Sequence, residues 1–218
     1  MAGKNILIKV TSDTHCPWCF IGKRRLEKAI EIFKTTHPGT TFEVTWFPFQ
    51  LEPQLSREPI RKQEFFPRKF GAVRFQQMTT MTKAVGQPLG IQFSYEGVVS
   101  NSLDSHRLIH WSKQFNNNKQ NQVVEELFKL YFEQDQDLCD FNALADAAER
   151  AGLDRSKTLA FLSSGDDTNV VKQLILDGQR HGVNSVPHIE INDKYTLSGA
   201  QDPETFIQVF EKVVLESQ

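Results

Sequence analysis

The sequence Thr11-Ser-Asp-Thr-His-Cys-Pro-Trp-Cys-Phe20 places two cysteines, Cys16 and Cys19, three residues apart. The apolar, β-branched run at residues 6–10 before it predicts a short strand. After it, apolar residues recur at helical spacing, which predicts a helix. Pro17 fits the first turn of that helix, because a proline there gives up no helical hydrogen bond. The two cysteines are therefore expected where a strand leads into a helix.

This position favours thiol chemistry at the first cysteine. The free backbone N–H groups and the dipole at a helix N-terminus stabilise a thiolate relative to a thiol. Cys16 is therefore predicted to be the catalytic nucleophile. Cys19, one turn further along on the packed side, would resolve a mixed disulfide. The alternatives are two structural cysteines or an inert disulfide, although a bridge over one helical turn closes too short a loop to stabilise the chain much.

The composition is that of an ordinary globular protein. Of 218 residues, 39% are hydrophobic and 24% are charged, and 25 basic against 27 acidic side chains give a net charge of −2. No basic block indicates binding to nucleic acid or to an anionic membrane. No apolar run has the length of a membrane span or the pattern of a signal peptide. We therefore expect a cytoplasmic protein with no nucleic-acid or membrane partner.

The third cysteine, Cys139, lies just before a strong helical pattern. Three cysteines in a cytoplasmic protein of this size do not indicate a disulfide scaffold, and a C-x-x-C pair there is more often catalytic or metal-binding. The context of Cys139 predicts a small apolar residue at a loop-to-helix junction. A redox-sensing or second resolving role is the alternative.

Three stretches of the sequence together resemble one family. Cys16-Pro-Trp-Cys19-Phe20-Ile-Gly-Lys23 after a short strand resembles the DsbA-like thioredoxin superfamily, and within it the FrnE-like branch of cytoplasmic disulfide oxidoreductases. Asn101-Ser-Leu-Asp-Ser-His-Arg-Leu-Ile-His-Trp111 and Gly182-Val-Asn-Ser-Val-Pro-His-Ile-Glu190 fit the same branch. Phe20 stands where many relatives carry Tyr, and His15 precedes the cysteines instead of lying between them as in DsbA. The strongly oxidising character of DsbA is therefore not carried over.

The order of the predicted elements agrees with this resemblance. A second strand at residues 41–48 completes a β-α-β unit with a right-handed crossover. A proline-rich stretch at 48–59 leads out of it, and breaks are expected at 116–119 and 152–154. Helices are then expected at 65–83, 102–115, 120–133, 141–151, 155–162 and 168–181, strands at 187–192 and 194–197 around an Asn-Asp turn, and a last helix at 203–215.

We therefore predict an α/β thioredoxin fold with an α-helical domain inserted between an N-terminal β-α-β part and a C-terminal α-β-β-α part. The thioredoxin-like domain would be discontinuous, comprising residues 1–59 and 165–218. The inserted helical subdomain would comprise residues 60–164. No internal repeat or low-complexity segment competes with this organisation.

The Val186-Pro187 bond is a further point of interest. Only about 5–6% of bonds before proline are cis in folded proteins, so the sequence alone favours trans. The resemblance implies the opposite, because the superfamily places a cis-proline loop against the C-x-x-C motif. It implies that Pro187 belongs to the catalytic site and that the backbone of Val186 pairs with an extended segment of the substrate. Trp18 is expected to cover apolar surface and to limit access to Cys16.

Two histidines four residues apart, His106 and His110, fall on one predicted helix. Together with Cys16 and Cys19 they would complete the ligand set of a Cys2His2 zinc site. Against this, His110 is as easily a packed core residue, and His106 fits the lining of a substrate groove. We expect no metal and assign His106 to substrate binding.

A second alternative changes the reaction and keeps the architecture. Kappa-class glutathione transferases and 2-hydroxychromene-2-carboxylate isomerases share the inserted-helix order and bind glutathione, but they usually lack the second cysteine. A glutathione thiolate needs one stabilising hydroxyl or thiol, whereas disulfide exchange needs a resolving partner. Cys19 therefore favours redox chemistry over the isomerase or transferase reaction.

The sequence thus predicts a thiol–disulfide oxidoreductase whose redox group is its cysteine pair. No G-x-G-x-x-G turn indicates a flavin or nicotinamide cofactor. The expected partners are protein or small-molecule thiols and disulfides, with glutathione as a candidate co-substrate, and the protein is expected to be a monomer or a homodimer. Asp13 and His15, beside the motif, are expected to be solvated loop residues. The alternative is that a protonated His15 raises the thiolate fraction and that Asp13 opposes it.

Overall fold

The computed structural model describes residues 4–115 and 117–216. The chain ends at 1–3 and 217–218, which belong to the predicted thioredoxin-like domain, lie outside the described residues. Asn116, in the predicted break at 116–119, also lies outside them.

Within the described residues, strands and helices alternate at both ends of the chain, and helices fill the middle. Their bounds are β1 (Asn5–Ser12), α1 (Pro17–Thr36), β2 (Thr41–Pro48), β3 (Ile60–Arg61), α2 (Lys62–Phe70), α3 (Ala72–Gly86), β4 (Val98–Val99), α4 (Leu103–Ser112), α5 (Asn117–Phe132), α6 (Phe141–Arg150), α7 (Arg155–Ser164), α8 (Thr168–Arg180), β5 (His188–Ile191), β6 (Tyr195–Ser198) and α9 (Pro203–Glu216).

The central sheet has the strand order β2-β1-β5-β6. β1 and β2 run parallel in register from the pair Asn5 and Thr41 to the pair Ser12 and Pro48, as a crossover through α1 requires. β5 lies antiparallel to β1 and to β6. The β5–β6 connection consists of the three residues 192–194, since Ile191 pairs with Tyr195, and it has positive φ at both Asn192 and Asp193.

The hydrophobic core is continuous between the sheet and the helices of the middle segment. The inward residues of β1 alternate with outward ones, as expected for a strand in a mixed layer. Phe20 of α1 is fully buried and stacks on Phe128 of α5, with ring centroids 5.0 Å apart. The first helix is therefore packed against both parts of the predicted fold, and the proposed boundaries at 59 and 164 stay a prediction.

The predicted single helix at 65–83 is wrong. Two helices occupy this region, α2 and α3, and they meet at Gly71, whose φ of 86° lies in the left-handed region that favours glycine. The prediction for α5 also erred, because the helix begins at Asn117, inside the stretch expected to break it. The pairing of β3 with β4 had no signal in the sequence, since each strand is two residues long.

No helix among residues 4–115 and 117–216 combines the length and apolar character needed to cross a lipid bilayer. This finding concerns only the part of the chain that the structure describes.

Candidate active site

Cys16 is the N-cap residue of α1, and the chain reaches it through a tight turn. The backbone of Cys16 is extended, with φ −89° and ψ 110°, and Pro17 occupies the first helical position. The N–H of Cys16 donates to the carbonyl of Asp13 at 2.9 Å, and the N–H of Cys19 donates to the carbonyl of Cys16 at 3.0 Å. The strand-to-helix placement predicted for the motif is thus present in the structure.

The two thiols are free and differ in their surroundings. Cys16 is 5% exposed and Cys19 is 1% exposed. Burial raises the pKa of the Cys19 thiol well above its usual range, and contact with Cys16 adds to this effect. Cys19 therefore remains a thiol. Cys16 is the cysteine nearer the surface and lies at the helix end.

The loop before β5 lies directly over the first cysteine. The Val186-Pro187 bond is cis, as the family resemblance implied. The Cys16 thiol lies 3.6 Å from the carbonyl oxygen of Val186 and donates to it. A Cβ added to Gly22 of α1 would come within 3.2 Å of Pro187 Cγ. The absence of a side chain at position 22 therefore allows α1 and the proline loop to pack closely.

Asp13 lies beneath the motif and is completely buried, which contradicts the expectation of a solvated loop residue. One carboxylate oxygen of Asp13 lies 3.2 Å from Nε2 of His106, and the other accepts from the N–H of Leu51 at 2.7 Å. Burial opposes the charge, but the hydrogen bond with His106, the nearby His15 and the Leu51 N–H together lower the pKa of Asp13 to about 2. A buried, ionised carboxylate therefore anchors the active-site loop, residues 13–16 between β1 and α1.

His106 does not lie where the sequence interpretation expected it. Its side chain is 2% exposed and hydrogen bonds to Asp13, so it supports the active-site loop from below and does not line the cavity described next. The neighbouring Ser105 makes a 2.8 Å hydrogen bond to Thr14, which ties the same loop to α4 a second time.

His15 is also buried, at 4% exposure, and it is not the solvated residue that we expected. Burial lowers the pKa of His15, although the carboxylate of Asp13 acts in the opposite direction. A neutral imidazole cannot favour a thiolate as a cation, so the suggested role of His15 in raising the thiolate fraction has no support. Neither ring nitrogen of His15 has a hydrogen-bond partner.

A cavity of about 290 Å³ opens beside Cys16. Its walls are the start of α1 with the residue before the motif, the segment after β2, α2, α3, the segment around Tyr95 and the end of α5. The lining is largely aromatic and otherwise apolar: Pro17, Trp18, Leu51, Phe66, Phe70, Phe75, Met78, Met81, Tyr95, Tyr131 and Phe132, with His15, Glu52, Lys62, Lys69, Thr79 and Thr82 as its polar members. Trp18, within the motif, lines this cavity and is partly buried against the core.

Lys62 is a site residue that the sequence gave no reason to select. Its ammonium donates to the carbonyl of Tyr131 at 2.6 Å and pairs with Asp135 at 3.3 Å. Burial lowers its pKa to about 8, with Asp135 acting against that shift. Lys62 begins α2 and Tyr131 is near the end of α5, so this buried cation joins two walls of the cavity.

The zinc alternative is not supported by the positions of its ligands. His106 is engaged with Asp13, while His110 is partly exposed and lies 3.9 Å from Asp167. Among the described residues, no group of three or more His, Cys, Asp or Glu side chains is close enough together to hold a metal ion.

Cys139 is half-buried and free, and its thiol donates to the carbonyl of Asn101 at 3.2 Å. Burial raises its pKa. This environment fits the junction role that the sequence predicts for Cys139.

The fold and the motif define a thioredoxin-like protein with a helical insertion, and comparison with known sequences identifies the family. The chain belongs to the DSBA-like thioredoxin domain family, whose profile matches residues 7–211. This confirms the predicted family and its mixed α/β thioredoxin-like DsbA fold. Within the family, placement in the FrnE-like branch stays a prediction.

Three known proteins are similar to this chain, one in sequence and two in fold. The chain is 27% identical to the uncharacterized protein YwbO of Bacillus subtilis over 216 residues, covering 97% of this chain and 96% of that protein. The structure of the probable DsbA oxidoreductase SCO1869 from Streptomyces coelicolor has a TM-score of 0.84 at 24% identity, over 95% of this chain and 89% of the other. That of a 2-hydroxychromene-2-carboxylate isomerase has a TM-score of 0.74 at 15% identity, over 97% of each chain.

Proposed function

We propose that this protein is a thiol–disulfide oxidoreductase that works through Cys16 and Cys19. The observation that carries the proposal is the graded placement of the two thiols, with Cys16 at the N-terminus of α1 and Cys19 buried one turn behind it. Cys16 is the more accessible of the two sulfurs and stands at the helix end, and burial holds Cys19 as a thiol until it is needed.

In the proposed reaction, the Cys16 thiolate attacks one sulfur of a substrate disulfide and releases the other as a thiolate, which takes up a proton. Cys19 then loses its proton and attacks the Cys16 sulfur, which frees the second substrate thiol. Starting from the Cys16 thiolate, the protein gives up two electrons and the Cys19 proton, the second proton comes from water, and the protein ends as the Cys16–Cys19 disulfide. The reverse sequence oxidises a dithiol.

The loop at Val186 and Pro187 is the proposed support for an extended substrate. Its backbone lies within 3.6 Å of the Cys16 sulfur, so a strand-like segment paired with Val186 would bring its own sulfur close to Cys16. Pro187 offers no N–H group and no side-chain donor that competes for the thiolate.

Glutathione is the small thiol that we propose as co-substrate, and the cytoplasm is the proposed compartment. A cytoplasmic glutathione pool keeps most dithiols reduced, so reduction or isomerisation of substrates is easier to sustain there than net oxidation. The glutathione-dependent isomerase and transferase reactions share this architecture, but they make no use of a resolving thiol. Cys19 is the residue that separates the two reactions.

The test is intact-mass analysis after rapid alkylation, with the protein equilibrated over a series of reduced-to-oxidised glutathione ratios. We expect Cys16 and Cys19 to pass reversibly from two alkylated thiols to an unalkylated disulfide. Cys19→Ser should trap glutathione on Cys16, and Cys16→Ser should form neither adduct nor disulfide. Cys139→Ser is the matched control, because a half-buried thiol outside the motif should leave the titration unchanged. A pair that never closes would refute the oxidoreductase proposal.

A further inference from the structure

The mouth of the cavity beside Cys16 is surrounded by exposed apolar side chains. Leu51, Met78 and Met81 all line the cavity, and they are 42%, 38% and 56% exposed. Phe70, half-buried at the end of α2, continues this surface. We call these four side chains the apolar rim. Large apolar side chains that cluster around an opening mark a place where another molecule binds, whereas scattered ones need no explanation.

The extent of this apolar surface indicates what covers it. A volume of about 290 Å³ is at the small end of the range of ligand pockets, so the cavity accommodates one large side chain. A small molecule held inside it would leave the outer parts of the apolar rim in water. A polypeptide can place one side chain in the cavity and cover the rim with the adjoining residues. Methionine side chains also adapt to different neighbours. The apolar rim therefore fits a polypeptide segment.

The charged groups in the wall of the cavity are paired. Each cation of α2 lies beside a carboxylate: Lys62 beside Asp135, Lys69 beside Glu52, and Arg68 beside Glu64. Burial lowers the pKa of His15, so its ring adds no charge. The wall is therefore suited to an apolar side chain.

Arg74 adds a further cation at the apolar rim. Arg74, Met78 and Met81 are spaced i, i+4 and i+7 along α3, so they form one stripe of that helix. The guanidinium of Arg74 lies 5.9 Å from the centre of the Phe70 ring. Arg74 makes no ion pair within residues 4–115 and 117–216, and α3 has no acidic residue of its own. A carboxylate on a docked segment would therefore meet a positive charge that the protein itself leaves unpaired.

We propose that the apolar rim docks an acidic polypeptide segment, whose large apolar side chain enters the cavity while a neighbouring carboxylate meets Arg74. Pro17 and Trp18 line the same cavity and follow Cys16 directly in the chain. A cysteine within about three residues of the apolar anchor would therefore lie near the nucleophile, since an extended chain advances about 3.3–3.6 Å per residue.

The substrate class is a polypeptide disulfide with acidic and large apolar residues beside its cysteine. In the exchange, Cys16 and Cys19 supply the two electrons that reduce this disulfide, and the two substrate sulfurs leave as thiols. Docking of the segment does not depend on this chemistry, and only delivery of its disulfide to Cys16 rests on the proposed function.

The first test measures docking without any redox step. The reduced full-length protein is titrated calorimetrically with short peptides in which serine replaces the cysteine, with Trp or Ala as the anchor and Glu or Lys on both sides of it. We expect the Glu/Trp peptide to bind about tenfold more tightly than the Glu/Ala peptide, because the large ring is buried in the cavity. It should bind about three- to tenfold more tightly than the Lys/Trp peptide, and this second difference should shrink at about 1 M salt.

Two pairs of variants locate the docking surface. Met81→Asp should weaken binding of the Glu/Trp peptide about tenfold. Leu176→Asp is its matched control and should leave binding unchanged, since Leu176 is 47% exposed but lies in α8, outside the cavity. Arg74→Glu should abolish the preference for Glu over Lys. Lys83→Glu makes the same change of charge on the opposite side of α3, because positions 74 and 83 are separated by two and a half helical turns, and it should keep that preference.

The proposal is overturned if no peptide binds, if Ala anchors bind as well as Trp anchors, or if Glu and Lys flanks are equivalent. It is also overturned if the variant and its control behave alike in either pair. Vesicles of anionic phospholipid are tested alongside the peptides. A protein that binds these vesicles and none of the peptides would show that the apolar rim is a lipid-binding surface, which also overturns the proposal.

The second test concerns the substrate class and uses the same peptides with their cysteine restored, as homodimeric disulfides. The reduced protein should reduce the Glu/Trp disulfide with a kcat/KM at least about tenfold higher than the Lys/Ala disulfide, after correction for the uncatalysed rates. Arg74→Glu should lower that ratio. Equal values for the two disulfides would overturn the substrate assignment even where the cysteine pair cycles normally. Failure of the cysteine pair to close would leave the titrations with the serine peptides unaffected, so failures of the two proposals are distinguishable.

Discussion

The active-site loop has a buried polar region on each side. The polar groups are hydrogen-bonded on one side, and several are unpaired on the other. On the α4 side, the carboxylate of Asp13 meets His106 and the N–H of Leu51. On the side of α2 and α3, His15 and Tyr131 are buried to a similar degree, but the ring nitrogens of His15 and the hydroxyl of Tyr131 have no hydrogen-bond partners. Buried polar groups stabilise a fold only when they are paired. The first region therefore fixes the loop, whereas the second leaves buried polar atoms unpaired at a cost in stability.

The largest effect should come from removing the anchor of the paired region. Asp13→Ala leaves His106 and the N–H of Leu51 without their acceptor, and we expect the free energy of unfolding to fall by about 3–5 kcal/mol in urea denaturation. The control is Asp146→Ala, whose side chain is 50% exposed and pairs with Arg155 on the surface. That variant should change stability by at most about 1 kcal/mol. Equal losses in the two variants would contradict the comparison.

The partner of that carboxylate should have a smaller effect. His106→Leu removes one hydrogen bond from Asp13 and keeps the others, so we expect a loss of about 1–3 kcal/mol in the same measurement. His106→Gln keeps a donor of similar reach and should recover part of that loss. If the Leu and Gln variants are equally stable, the hydrogen bond to Asp13 contributes nothing.

The buried His15 should make the free energy of unfolding depend on pH. Burial lowers the pKa of His15 below the value of 6.5 that applies in an unfolded chain. As the pH falls below 6.5, the unfolded chain binds a proton that the folded chain excludes, so the free energy of unfolding decreases. Between pH 7.5 and 5.5, the wild-type protein should lose up to about 1.4 kcal/mol more than His15→Gln. Parallel curves for the two proteins would show that His15 is not kept neutral.

The smallest effect is expected at the unpaired phenol. Tyr131→Phe removes a hydroxyl that has no partner, so the stability of the ligand-free protein should stay within about 0.5 kcal/mol of wild type or increase. Tyr95→Phe should instead lose about 1 kcal/mol, since its hydroxyl bonds to Thr82. A large loss for Tyr131→Phe would show that its hydroxyl has a partner within the protein.

Much of the fold could be predicted from the sequence because its signals are local. The strand, the C-x-x-C turn and α1 follow one another within 36 residues, and the β5–β6 hairpin has its turn residues at the tip. The error at 65–83 arose because helical periodicity continues through Gly71, while the backbone changes direction there. A single glycine in a helical pattern predicts a break only weakly.

The candidate site could be predicted only in part, for a physical reason. Cys16 and Cys19 are identified by their spacing, whereas Asp13 and His106 lie 93 residues apart and meet only through tertiary packing. Burial of His15 depends on where α2, α3 and α5 are placed around the loop. No periodicity in the sequence predicts that placement of the helices. The side chains of residues 11–15 are all polar, which suggests solvent exposure instead.

The glycine of α1 that faces Pro187 sets a spacing by having no side chain. The distance between the helix carrying both sulfurs and the loop above them is thus determined at a position that takes no part in the chemistry. Alanine at position 22 would insert a spacer one methyl group thick, and its Cβ would meet a rigid proline ring. Position 22 therefore offers protein engineers a means of changing the spacing between α1 and the proline loop without replacing any residue of the C-x-x-C motif or of that loop.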